Sequence, residues 1–303
     1  MSIRSLSILF GTATILVAAP AHATVRVVTT TPDLAAITKQ VGGDRVDVTA
    51  LSLSTQDPHF VDAKPSAMLK LNKADLLVVV GLDLEIGWLP TLQTGARNSK
   101  ILTGASGYLD CSESVNVLDR ASAPVDRSMG DVHPQGNPHY LYDPRAASAC
   151  AKAIAAKLEE LDSSHARDYE KGLDAFLQSV DKVRERLEKE MAPYKGRPVV
   201  TYHKSWTYVI DWLGLNELAN LEPKPGIPPS PSHVVDVLRL ARSKNAKVVL
   251  QEAFYPDRTG ALVAAKLGGS LVKLPAGANI AAGETYEGHL ATVIDTLIAA
   301  FKK

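Results

Sequence analysis

Short β-branched or apolar runs alternate with helical segments along this chain, and one long stretch poor in helix breakers divides the alternation in two. Strand-length runs occur at 25–30, 46–53, 76–80 and 100–102. Residues 33–41 and 63–71 read as helices between them, with Asp33 after Thr-Pro in a position suited to an N-cap. A second series has strands at 199–202, 217–221, 248–252 and 270–274, and helices at 206–213, 232–243 and 260–267. This order predicts the α/β class: two (βα) domains, each with a central, mostly parallel sheet covered by helices.

The dividing stretch is 146–191. From about residue 164 its apolar residues, Tyr169, Leu173, Phe176, Leu177, Val180, Val183 and Leu187, keep the spacing of one amphipathic helix. Pro193 and Gly196 stop it. Such a helix spans on the order of 40 Å, enough to run along both domains, and it is stiffer than a Gly/Ser hinge. The expected boundaries are a leader at 1–23, an N-terminal domain at 24–163, a linking helix at 164–192 and a C-terminal domain at 193–303. Residues 111–136 are polar and aperiodic and read as a surface loop.

The leader has the layout of a secretory signal peptide. Arg4 supplies the charge, 6–19 is mostly apolar, and Ala21-His22-Ala23 is a small-x-small site with cleavage expected after Ala23. The apolar run is too short for a membrane span, and no cysteine follows the cleavage site to carry a lipid. An exported, periplasmic protein is expected. Basic and acidic residues balance at 33 each, which leaves no electrostatic footprint for nucleic acid. Cys111 and Cys150 lack CxxC spacing. In an oxidising compartment they predict a disulfide rather than a thiolate metal site.

Three of the eight histidines occupy short turn or strand-end contexts: His59 in Asp-Pro-His-Phe, His139 in Asn-Pro-His-Tyr, and His203 after the strand at 199–202. In open α/β sheets ligands bind beyond the carboxyl ends of strands, and His59 and His203 take comparable positions in the two halves. Neutral imidazole is the commonest metal ligand, so three converging rings predict one metal site assembled by the fold. His133, in the polar loop, reads as solvated, as do His165 and His289 in their helices. His233 precedes a helix and reads as capping or solvent-facing.

Beyond single residues, several motifs resemble the zinc- and manganese-specific solute-binding proteins of ABC importers, the cluster A-I family. They are Asp57-Pro58-His59, Ala74-Asp75-Leu76 running into Gly81-Leu82-Asp83-Leu84-Glu85, and Asn137-Pro138-His139 with Asp143-Pro144. Tyr202-His203-Lys204-Ser205, residues 225–231, and Glu252 with Asp257-Arg258 continue the likeness in order along the mature chain. The resemblance implies two α/β domains joined by a rigid backbone helix, with the metal in the cleft and ligands at His59, His139 and His203. It also implies a monomer that captures Zn2+ as cargo for an ABC permease of the inner membrane. Manganese-type members place a carboxylate where His203 stands, and ligand softness likewise favours zinc. Manganese remains the alternative within the family.

One departure concerns the loop at 274–280, where family members often supply a carboxylate and this chain has none. The fourth position then falls to Glu252 or to water, with Glu284 further along, and Glu252 could instead serve as a supporting carboxylate. Asp57, Asp143 or a backbone carbonyl could orient the rings. The rival from another class is a zinc hydrolase using Glu252 as base. No HExxH or similar motif places a base beside a ligand, so a binding protein, not an enzyme, is expected.

Overall fold

The computed structural model describes residues 24–122, 130 and 132–303; the expected signal peptide lies outside them. In the N-terminal half, β1 (Val25–Thr29), β2 (Val46–Ala50), β3 (Leu76–Val79) and β4 (Tyr108–Asp110) alternate with α1 (Pro32–Gly42), α2 (Pro65–Lys73) and α3 (Leu89–Ala96). All pairings are parallel, in the order β2-β1-β3-β4. Every residue of β3 is buried, as expected of a strand covered on both faces.

Helix α4 (Pro144–Leu161) leads into α5 (Ala166–Met191), and the second half repeats the scheme. It comprises β5 (Pro198–Thr201), α6 (Thr207–Leu213), β6 (Asn216–Asn220), α7 (Pro231–Ser243), β7 (Val248–Glu252), α8 (Asp257–Leu267), β8 (Ser270–Leu274) and α9 (Tyr286–Phe301). Its sheet is again parallel, in the order β6-β5-β7-β8. In each sheet the chain reverses its direction of winding beside the first strand, which creates a crevice at the carboxyl ends of the strands.

Helix α5 packs on α1, α4 and α9. Tyr169, Phe176, Val180, Leu187 and Met191 form its buried face. Phe176 meets Tyr286 of α9 with ring centroids 6.0 Å apart, and the Tyr286 hydroxyl donates to the Leu141 carbonyl at 2.7 Å. One core cluster therefore runs through both halves.

Three expectations are corrected. Residues 100–102 are not a strand: Asn98 accepts from the Lys100 amide at 3.1 Å and caps a tight 3-10 turn at Ser99–Ile101, and the fourth strand is β4. Cys111 and Cys150 are free, buried thiols rather than a disulfide. They pack in the core as small apolar side chains, and Cys150 Sγ lies 4.0 Å from the Cys111 carbonyl oxygen that accepts from it. His289 is buried at 2 % exposure, not solvated, because it shares the inward stripe of α9 with Tyr286, Leu290, Val293, Ile294 and Leu297. Among the described residues no helix is long and apolar enough to cross a membrane.

Candidate metal centre

His203 stands just past β5, between Tyr202 and a 3-10 turn at Lys204–Trp206. Its Nδ1 lies 2.7 Å from the Glu222 carboxylate, and both side chains are buried. Glu222 follows β6, and the same oxygen accepts from the Gly226 amide at 3.0 Å. Burial works to lower the His203 pKa, but the Glu222 hydrogen bond and the Glu252 and Glu222 charges outweigh it and leave the pKa raised.

His59 lies in the loop after β2. Asp57 Oδ1 accepts from the His59 amide at 3.0 Å and sits 2.8 Å from its Nδ1. Trp88 Nε1 donates to the Pro58 carbonyl at 3.0 Å and holds the loop down. Burial alone would raise the Asp57 pKa, yet its hydrogen bonds to His59 hold it below the usual value. With a carboxylate on Nδ1, a neutral ring carries its proton there and presents the Nε2 lone pair. The same holds for His203.

His139 comes from the turn before α4. Its amide donates to Asn137 Oδ1 at 2.9 Å, and Asn137 Nδ2 donates to the Lys204 carbonyl at 2.8 Å. The His139 turn is thereby tied to the segment that carries His203. His139 Nε2 is buried without a hydrogen-bond partner among the described residues. Burial, with His59, His203 and His133 nearby, pushes its pKa well below the ordinary value.

These three rings form a nearly equilateral triangle, with centroids 5.2, 5.4 and 5.3 Å apart. Their ligating atoms all lie within 4.8 Å of one another. The pocket they share, also lined by Glu252 and by Asp33 of α1, holds about 50 Å³. That is far below the several hundred Å³ of organic-ligand pockets and suits an ion.

Glu252, the last residue of β7, is 2 % exposed, and Ser205 is the side chain that approaches its carboxylate. Burial pushes its pKa up to about 7, opposed by nearby His203 and by a hydrogen bond from Ser205. It lines the pocket but stands outside the trio whose atoms are mutually close. Glu284 is elsewhere, accepting from the Asn279 amide at 2.6 Å. In the loop at 274–280 the Ala278 amide donates to Asp33 Oδ1 at 2.8 Å.

Two participants escaped the sequence reading. Glu222, not Asp143, supports a ring: Asp143 caps α4 and pairs with Arg145. The signal for Glu222 was its place directly after a strand, matching the other site positions. His133 is part-buried rather than fully solvated, and its Nε2 lies 3.3 Å from that of His59. Burial and the neighbouring His59 lower its pKa to about 4, while a hydrogen bond to the Leu82 backbone works the other way. Ser230 caps α7, accepting from the His233 amide at 3.3 Å, and the His233 ring lies 2.9 Å from the Asn220 carbonyl.

A family model described as zinc-uptake complex component A, periplasmic (ZnuA) matches residues 27–300. The chain belongs to this family. The manganese ABC transporter substrate-binding lipoprotein PsaA of Streptococcus anginosus is 28 % identical over 188 residues, 60 % of this chain and 57 % of the relative. The chain thus matches little more than half the length of that relative. The high-affinity zinc uptake system protein ZnuA of Bacillus subtilis is 22 % identical over 248 residues, 80 % of this chain and 75 % of that protein. In fold, a crystal structure of ZnuA superposes with a TM-score of 0.76 at 23 % identity, covering 91 % of this chain and 99 % of the other. A nickel complex of FpvC from P. aeruginosa gives 0.76 at 21 % identity, covering 92 % and 97 %.

Proposed function

We propose that the chain is the periplasmic metal-binding component of an ABC importer, capturing Zn2+ and delivering it to a membrane permease. The observation that carries this reading is the triangle of His59, His139 and His203, with their ligating atoms within 4.8 Å. Glu252 is proposed as the fourth ligand; a buried carboxylate with no cationic side chain to pair with it is costly unless a cation offsets its charge. Three nitrogen ligands favour a borderline ion such as zinc over manganese, which prefers oxygen. Membership of the zinc-uptake family supports transport rather than hydrolysis.

The ligands arrive from loops of both halves, so a relative movement of the halves would distort the shell and release the ion to the permease. Binding needs neutral imidazoles and is expected to weaken as pH falls through the histidine range. Titration calorimetry with Zn2+ and Mn2+ on the mature protein tests the proposal. Tight one-to-one zinc binding, weaker manganese binding and loss of tight zinc binding in His203→Ala are expected. Unchanged binding in that variant, or manganese bound as tightly as zinc, refutes it.

A further inference from the structure

His289 stands out among the buried side chains. It is 2 % exposed, and neither ring nitrogen has a hydrogen-bond partner among the described residues. A polar group buried in this way is costly and calls for an explanation. Asp33 Oδ1 lies 4.0 Å from His289 Nε2, too far for a hydrogen bond. That oxygen is engaged elsewhere, accepting from the Ala278 amide at 2.8 Å across the two halves. Burial and the Glu284 charge raise the Asp33 pKa, and His289 and the Ala278 amide work against them. One carboxylate thus faces two partners, one engaged and one within a short side-chain turn.

The two partners are held differently. His289 belongs to α9, which is stapled to α1: Gln40 of α1 accepts from the Tyr286 amide at 3.1 Å and donates to Glu287 at 2.8 Å. Asp33 and His289 are thereby kept within reach of each other. Ala278 belongs to the loop at 274–280, which has no Asp, Glu, His or Cys through which an ion could hold it. Among the described residues, its hydrogen bonds to the N-terminal half are the Asp33 contact and one from the Ala276 amide to the Ser54 carbonyl at 3.3 Å. Ser54 lies in the loop that carries His59. A Cβ on Gly277 would meet Pro32 at 3.5 Å and Asp33 Oδ1 at 3.6 Å, ordinary contact distances, so the loop lies on the first turn of α1. Ala276 and Asp33 both line the metal pocket.

We propose that Asp33 is a two-position latch for this wall of the pocket, closing the loop at 274–280 through the Ala278 amide and turning to His289 when the loop lifts. This deepens the reading of the pocket as a metal-capture site and rests on it. Lifting the loop trades one buried partner of the carboxylate for another, where a stranded carboxylate would resist opening. The movement takes Ala276 off the pocket and releases the Ser54 contact to the His59 loop. It gives the ion a local exit while α1 and α9 stay together.

The test uses the mature protein, zinc-free and with one equivalent of Zn2+, as wild type, Asp33→Asn, Asp33→Ala and His289→Phe. Hydrogen–deuterium exchange by mass spectrometry follows the amides of 274–280 against those of α1 and α9, and stopped flow with excess chelator gives the zinc dissociation rate. Asp33→Asn keeps a weaker, neutral acceptor and should speed loop exchange roughly threefold, and Asp33→Ala roughly tenfold, with zinc leaving faster in the same order. His289→Phe removes the second partner and should slow zinc release roughly threefold with the loop still protected. Loop exchange within twofold of wild type in either folded Asp33 variant overturns the latch, and unchanged release in His289→Phe overturns its second position. The zinc-free exchange reads the latch by itself: a wild type that binds no zinc removes the capture reading, while loop exchange still decides for or against Asp33.

Discussion

Replacing Glu222 by Gln keeps a hydrogen-bond acceptor beside His203 but removes its charge. In the protein the carboxylate lies 2.7 Å from His203 Nδ1, with Glu222 only 7 % exposed, a short contact of the charge-assisted kind. A hydrogen bond to a charged partner contributes about 1.5–3 kcal/mol, against about 0.5–1.5 for a neutral one. The difference, about 1–1.5 kcal/mol, corresponds to somewhat less than or about a tenfold loss of zinc affinity. Glu222→Ala goes further, because it frees the imidazole to rotate and leaves the Gly226 amide, now 3.0 Å from the carboxylate, without its acceptor. Losses of roughly 10–100-fold are typical when such a supporting partner is removed. Chelator competition at pH 8, where protons compete least for the ring, measures both variants, and far-UV circular dichroism checks that they fold. Affinities within twofold of wild type in both folded variants would show that Glu222 does not act on the metal through His203.

Two further outcomes follow from groups away from the three histidines. Burial pushes the Glu85 pKa from 4.5 up to about 7; the folded value lies above the unfolded one, so its contribution is complete below about pH 4.5 and lost as pH rises through 7. Relative to Glu85→Gln, wild type should lose up to about 3 kcal/mol between pH 4.5 and 8 by urea denaturation, and a constant gap between the two refutes this. Phe176→Ala, at a side chain 2 % exposed between α5 and α9, should cost about 3–5 kcal/mol by cavity formation. The urea midpoint should fall while zinc affinity of the folded protein is unchanged.

The α/β class, the two parallel sheets and the long helix were legible because period and breaker residues are local properties. Uninterrupted apolar runs such as Leu76–Val79 mark strands covered on both faces. Short elements were less legible. Ile101 and Leu102 look like strand residues, but Asn98 commits the backbone to a turn. His289 sits among polar neighbours in sequence, and only the inward stripe of α9 reveals its burial. A disulfide between Cys111 and Cys150 follows from compartment alone, whereas both are free, buried thiols of the core.

The sequence by itself determined the chemistry of the candidate site, through three imidazoles at strand ends and turns. Tertiary structure decided which groups surround them. Glu222 and His133 lie 19 and 74 residues from the histidines they approach, and no periodicity reports such a distance. Their meeting depends on how two sheets and the loop ending at Gly136 are held against one another, a matter of packing and not of local pattern.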